Sequence, residues 1–214
     1  QNSFFLEKAL KSSPAVEYES IVPEEYDDQI AEAFATVIWN QVPSPGVGPG
    51  HNLYLGCFPP LPEVVPGQKV NAPEILDWDT THPLNRFLDF DNLVIAATTG
   101  FGLPDSATVT LRSSQTPLMG VFETGRGGIC VVGFDPIQSN WPLLVSFPLF
   151  LQNCLDCFEA LTGRRIESNL IVGRPIATPS LPRAPVVILP DGARRTMNRT
   201  SSGECSFTEV EQCG

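Results

Sequence analysis

The run Ala35-Thr36-Val37-Ile38-Trp39-Asn40 constrains the fold more than any other stretch of this chain. It is almost continuously apolar, short, and bounded by turn signals. Without polar alternation it reads as a strand covered on both faces, the kind parallel sheets use. The signals around it agree. Phe4 to Leu10 places apolar residues at helical spacing, and Val16 to Val22 alternates with period two, as a half-buried strand does. Pro23-Glu24-Glu25-Tyr26 has the proline and acids of a helix's first turn, which predicts a helix to about Phe34. After the apolar run, a Pro/Gly loop from Pro43 to Gly50 leads into Asn52-Leu53-Tyr54-Leu55-Gly56, a second short strand. Strands separated by crossovers imply a parallel α/β sheet, with Ala35–Asn40 at its centre.

The middle of the chain reads as short strands with turns: Leu93–Ala96, Ala107–Leu111, Pro117–Phe122 and Gly128–Gly133, the last two joined as a hairpin through Gly125-Arg126-Gly127. Phe134 to Pro142 follows, with Asp135 and Ser139 as turn and cap residues. A helix apolar nearly all round is predicted from about Pro148 to Leu161, ended by Thr162-Gly163. From Arg164 the pattern becomes short β-segments between Pro-rich linkers, and it stops mid-pattern at Cys213-Gly214. The expectation is a three-layer α/β domain over 1–163 with a mostly parallel sheet. A small β-sandwich-like module over 164–214 would follow, with its last strand lying beyond the chain.

Composition excludes several functions. With 24 acidic against 13 basic residues, the net charge of −11 disfavours nucleic acid and anionic lipid as partners. No apolar stretch is long enough to span a bilayer, and Gln1-Asn2-Ser3 opens no secretory signal, although the chain reads as cut from a longer one. The 6 cysteines do not form a small-domain disulfide framework, because the chain has a core without them. Cys130 sits in a strand-like run and reads as a small buried hydrophobe. Cys154 and Cys157 form a CxxC in mid-helix, where redox chemistry would want a helix start and zinc would want a second pair. Cys205 and Cys213 can be bridged or free.

Little catalytic chemistry is legible. Gly46-Val47-Gly48-Pro49-Gly50 looks like a phosphate loop but lacks the following Lys-Ser/Thr and a helix N-terminus, and Pro49 removes an amide. His51 and His82 have no second ligand at metal spacing, and Asp77, Asp79, Asp89 and Asp91 read as turn and cap residues rather than a Ca²⁺ site. No metal and no cofactor is expected. Cys57 follows a strand where a nucleophile elbow would place it, with His82 as its only plausible base. Phe58-Pro59-Pro60 then removes the amides an oxyanion hole would need. Asn198-Arg199-Thr200 fits a glycosylation sequon and is expected to be an unmodified surface turn.

The stretch from Gly133 through Phe134-Asp135-Pro136, Ser139-Asn140-Trp141-Pro142-Leu143 and Phe147-Pro148 to Asn153 resembles a segment of large bacterial membrane proteins. These carry an aerotolerance-type (Bat-like) membrane N-terminus, a von Willebrand factor type A domain and a class I glutamine amidotransferase-like domain. His82-Pro83-Leu84, Phe5 to Leu10 and Pro23 to Tyr26 are similar to the same family. Pro190-Asp191-Gly192, Phe207-Thr208 and Cys213-Gly214 resemble its immunoglobulin-like strand pairs. The resemblance implies an amidotransferase-like (flavodoxin-like) fold followed by an immunoglobulin-like module.

It does not imply the activity. Working members carry Gly-x-Cys-x-Gly and a late His-Pro-Glu; here Gly56-Cys57-Phe58-Pro59-Pro60 and Phe134-Asp135-Pro136 stand in those places, without the histidine. The resemblance therefore implies a non-catalytic interaction or scaffold region of a membrane-anchored cell-envelope protein. Its partners would be proteins, and it would touch the membrane only through regions outside this chain. The alternatives are a divergent cysteine hydrolase using Cys57, or a small-ligand domain using the crevice at the carboxyl ends of the parallel strands. The amidotransferase-like topology would make Cys57, His82 and Asp135 neighbours. Asp135, Ser139, Asn140 and Trp141 are expected to be structural, the first two capping a helix that begins near Pro142 or Pro148 and Trp141 packing in the core.

Overall fold

The structure is a computed structural model. It describes residues 3–13 and 15–161, and the short strands 176–178, 186–188, 194–196, 198–199 and 205–207. The chain divides into two compact units, Gln1–Phe158 and Glu159–Gly214.

The first unit is built on a six-stranded mixed sheet. Its strands are β1 (Thr36–Asn40), β2 (His51–Leu55), β4 (Ile75–Trp78), β6 (Thr108–Ser113), β7 (Pro117–Thr124) and β8 (Gly127–Val132), and their spatial order is β1-β2-β8-β7-β6-β4. β1, β2 and β8 run parallel, while β8-β7, β7-β6 and β6-β4 pair antiparallel. The α/β class therefore holds, but the sheet is mixed rather than mostly parallel. The parallel half is only the three strands that need crossovers; the rest of the sheet is completed by hairpins. A separate antiparallel ribbon pairs β3 (Pro66–Asn71) with β5 (Ala97–Phe101).

Period-two alternation along β2 and β8 divides the interior. Leu53, Leu55, Cys130 and Val132 face a core shared with Leu6 and Leu10 of α1 (Phe4–Lys11) and with Phe147, Phe150, Leu151, Cys154 and Phe158 of α3 (Ser146–Leu161). Tyr54, Ile129 and Val131 face the other way, onto Trp39, Val64, Phe101 and Phe122. One face is covered by helices and the other mainly by loops and the β3–β5 ribbon.

Three local expectations give way to tertiary context. Ala35–Asn40 lies at the sheet edge, not its centre. Trp39 is buried there because Tyr26 packs on its ring, 4.7 Å between centroids, and Asn52 Oδ1 accepts its indole N–H at 3.0 Å. The segment expected as a helix from Pro23 to Phe34 breaks into a 3-10 turn at Pro23–Glu25 and a short α2 (Asp28–Ala31). Asp27 stops continuity by accepting the Gln29 N–H and capping the second piece. Val16–Val22 forms no strand; Val16 and Tyr18 pack one-sidedly against the helix-covered core, which produces the same alternation.

In the second unit β10 (Val186–Ile188) pairs with β11 (Arg194–Thr196), and β12 (Asn198–Arg199), β13 (Cys205–Phe207) and β9 (Ile176–Thr178) form a three-stranded sheet, all antiparallel. Asn198 thus begins a strand paired with Ser206 rather than a turn. Cys213, Thr200 and the Pro190-Asp191-Gly192 turn lie outside the described residues.

Candidate functional site

The carboxyl ends of β1, β2 and β8 converge on one cluster, the position where open α/β sheets hold ligands. β1 ends in Asn40 and hands over to Gln41, a non-glycine residue with φ 59°. β2 hands over to Gly56, whose φ is 64°. A Cβ on Gly56 would sit 3.0 Å from Asp135 Cα, so glycine is needed both for its conformation and for the close approach. Asp135 follows β8, and its Oδ1 accepts from Gln41 Nε2 at 2.6 Å and from the Ile137 N–H at 2.8 Å. The side chain thereby caps the 3-10 turn Pro136–Gln138 and ties the β1 and β8 exits together. Nothing in the sequence flagged Gln41; a left-handed glutamine carries no pattern that periodicity can read.

Cys57 enters this cluster half-buried, its Sγ–H donating to Trp39 O at 3.2 Å. Burial pushes the thiol pKa up; backbone groups of Val42, Gln41 and Leu55 pull the other way but do not win. A thiol held protonated on a carbonyl is the opposite of an activated nucleophile.

His82 is not in this cluster. Following pairings across the sheet, β4 runs antiparallel to β2, so the chain leaves β4 toward the end of the sheet opposite the one where Cys57 leaves β2. The two strands are also four steps apart, about 19 Å at the usual spacing between neighbours. The expected neighbourhood of Cys57, His82 and Asp135 therefore holds for Cys57 and Asp135 alone. His82 is a local cap: its Nδ1 accepts the Leu84 N–H at 3.1 Å, at the start of the 3-10 turn Pro83–Asn85. Burial lowers its pKa against the opposing pull of Asp79. A base that spends its lone pair on a backbone amide beyond reach of the sulfur cannot take the thiol proton.

The Ser139–Trp141 stretch is a set of braces. Ser139 Oγ donates to Pro136 O at 2.7 Å and accepts from the Trp141 N–H at 3.2 Å. Asn140 Oδ1 accepts the Val94 N–H, and its Nδ2 donates to Asn92 O, both at 2.8 Å. Trp141 is fully buried against Phe90, Phe134, Phe147 and Phe150, with its indole N–H on Ser146 Oγ at 3.2 Å. Asp135 and Ser139 thus cap and brace two short 3-10 turns, Pro136–Gln138 and Trp141–Leu143, and not α3, which begins only at Ser146.

The glycine loop before β2 presents carbonyls inward, where a phosphate cradle would present amides. Asn52 Nδ2 takes Gly48 O and Gly50 O, each at 3.2 Å, and Arg126 Nη1 takes Val47 O at 2.8 Å. Asp79 and Asp89 are turn caps, accepting from the Thr81 and Asp91 backbone, and Asp77 lies 3.8 Å from Arg112. Among the described residues no three His, Cys, Asp or Glu side chains are grouped to hold a metal ion, and no helix is long and apolar enough to cross a membrane.

No family model matches the chain, and neither does any curated protein. Solved structures do match, among them two cytoplasmic proteins of Salmonella typhimurium. STM3548 is 13% identical with a TM-score of 0.57, and STM1381 is 10% identical with a TM-score of 0.60; each match covers 74% of this chain and 87% of the other. At such identities the likeness is one of fold. It also overturns the cell-envelope placement implied by the sequence resemblance. Both of these fold neighbours are cytoplasmic proteins, and neither is a von Willebrand or an envelope protein, so that placement is withdrawn.

Proposed function

We propose that this chain is a non-catalytic protein-interaction domain on a divergent amidotransferase-like α/β scaffold. The observation that supports this reading best is the fate of its nucleophile and base. Cys57 keeps its proton on Trp39 O while His82 leaves the opposite end of the sheet. The parallel β1-β2-β8 half, with its loop cluster after β2 and β8, favours the amidotransferase-like descent. The antiparallel half marks the divergence.

The test is alkylation of Cys57 by iodoacetamide across pH, read by peptide mass spectrometry. The expected midpoint lies above the ordinary thiol value of about 8.5. Rapid labelling of Cys57 at pH 6, with esterase or glutaminase turnover lost in Cys57→Ser, would establish the hydrolase instead.

A further inference from the structure

One opening in the first unit lies at the β4 edge of the sheet, away from Cys57. β4 is the last strand of the six-stranded sheet and, among the described residues, pairs only with β6. A terminal strand offers an unpaired row of backbone groups to an incoming chain. Beside it lies a cavity of about 400 Å³, walled by Ala72–Leu76 on one side and Asp91–Ile95 on the other. Phe90, Leu93 and Ile95 are buried at its base, with Trp78 edge-on to Phe90 at 5.7 Å.

Its rim is apolar where rims are usually polar: Leu76 is 64% and Val94 67% exposed. The far wall is held in advance, because Asn140 bonds Val94 and Asn92 and the Gln138 carbonyl takes the Ala96 N–H at 2.8 Å. The near wall carries backbone strain, Ala72 standing at φ 42°. The Trp78 indole N–H is buried without a partner among the described residues, a donor that a small ring rotation would offer to a carbonyl in the groove. Glu74 and Asp91 line the groove, Asp77 on β4 and Asp89 are their near neighbours in the chain, and Arg112 lies 3.8 Å from Asp77.

We propose that this groove receives an extended polypeptide segment alternating apolar and basic residues, which adds to β4 as a further strand. Backbone pairing with β4 supplies affinity, the apolar floor takes alternate side chains, and the Glu74 and Asp91 carboxylates select Lys or Arg at the positions between. A free edge explains why the occupant is extended, and the carboxylates explain its charge. The proposal rests on the reading of the domain as an interaction module and names its surface.

The experiment uses the full chain, ¹⁵N-labelled, titrated with a synthetic peptide of about ten residues alternating Val and Lys, to about 1 mM. Its controls are a Val/Glu peptide and a Val/Lys peptide N-methylated at alternate residues. Amide shifts at 72–78 and 91–95 are expected with the first peptide alone. Glu74→Lys combined with Asp91→Lys should weaken binding about tenfold or more, as should Leu76→Asp.

Equal binding by the N-methylated peptide would reduce the effect to non-specific attraction and overturn the proposal. Shifts elsewhere, or none at all, would do the same. Cys57 alkylation is read separately: a silent groove with an inert Cys57 removes the groove but leaves the module, whereas Cys57-dependent turnover removes the module.

Discussion

The parallel and antiparallel halves of the sheet solve opposite problems. In the parallel half, β2 and β8 are buried along nearly their whole length, and the exits of the three parallel strands are tied together: Gln41 after β1 to Asp135 after β8, Cys57 after β2 to Trp39 O in β1, Gly56 against the Asp135 backbone. In the antiparallel half the last strand is short, half its residues are exposed, and an apolar groove runs beside it. The parallel half is closed by its own polar groups. The half that no motif singled out keeps an opening.

That contrast can be broken by mutation. Trp141→Ala removes the indole that links Phe90, Phe134, Phe147 and Phe150, and should destabilise by about 3–5 kcal/mol in urea unfolding. Wild-type stability in that variant would mean the closed half is not the structural one. Gly56→Ala forces a Cβ into the left-handed region and against the Asp135 backbone, and should lose about 2–3 kcal/mol by the same measurement. An unchanged midpoint would mean that the β2 and β8 exits are not in contact.

Acid sharpens the comparison further. His51 opens β2, with Nδ1 accepting the Gly128 N–H at 2.9 Å and its ring stacked on Phe158; His82 caps its turn in the same way. Burial lowers both pKa values below the ordinary 6.5, Glu123 opposing at His51 and Asp79 at His82. Below 6.5 the unfolded chain therefore binds more protons than the folded one. Stability should be complete above that pH and fall as pH drops through it toward the folded values. The urea midpoint is expected to decrease between pH 7.5 and 5.5, less so in His51→Asn; a midpoint that rises on acidification would contradict the neutral, hydrogen-bonded histidines.

The smallest effect is expected at the open edge. Leu76→Asp should change stability by less than about 0.5 kcal/mol, since the side chain is largely exposed, while weakening peptide binding in the groove about tenfold or more. A large loss of stability there would mean that the rim belongs to the core.

Legibility followed the reach of the interactions involved. β6, β7, β8 and the hairpin between the last two lie where Ala107–Leu111, Pro117–Phe122 and Gly128–Gly133 are read, because alternation and a glycine turn act within a few residues. α3 begins two residues before the predicted Pro148, within the usual scatter of boundaries. β3 and β4 escaped because they are exposed or mixed in pattern, Pro66-Gly67-Gln68-Lys69 being an unlikely strand by composition. Leu93–Ala96 reads as a strand, but its backbone bonds to the 138–140 turn, with an isolated Ile95–Ser139 bridge, and the ladder begins only at Ala97.

By itself the sequence determined the α/β class, the short strands of the middle region and the late apolar helix. It also determined the poverty of catalytic motifs, since each of these rests on periodicity, turn chemistry or the presence of a residue type. Only the tertiary structure decided strand order and direction. Hydrophobicity marks Ala35–Asn40 as a strand but not its depth: Ala35 is exposed and of the six only Trp39 is buried, under Tyr26 and with Asn52 on its indole N–H. Strand direction also separated His82 from Cys57, and strand order left β4 with a free side among the described residues. Pairing across a sheet is a choice among distant segments whose loop-closure costs differ little, so the packed core, and not any local signal, selects it.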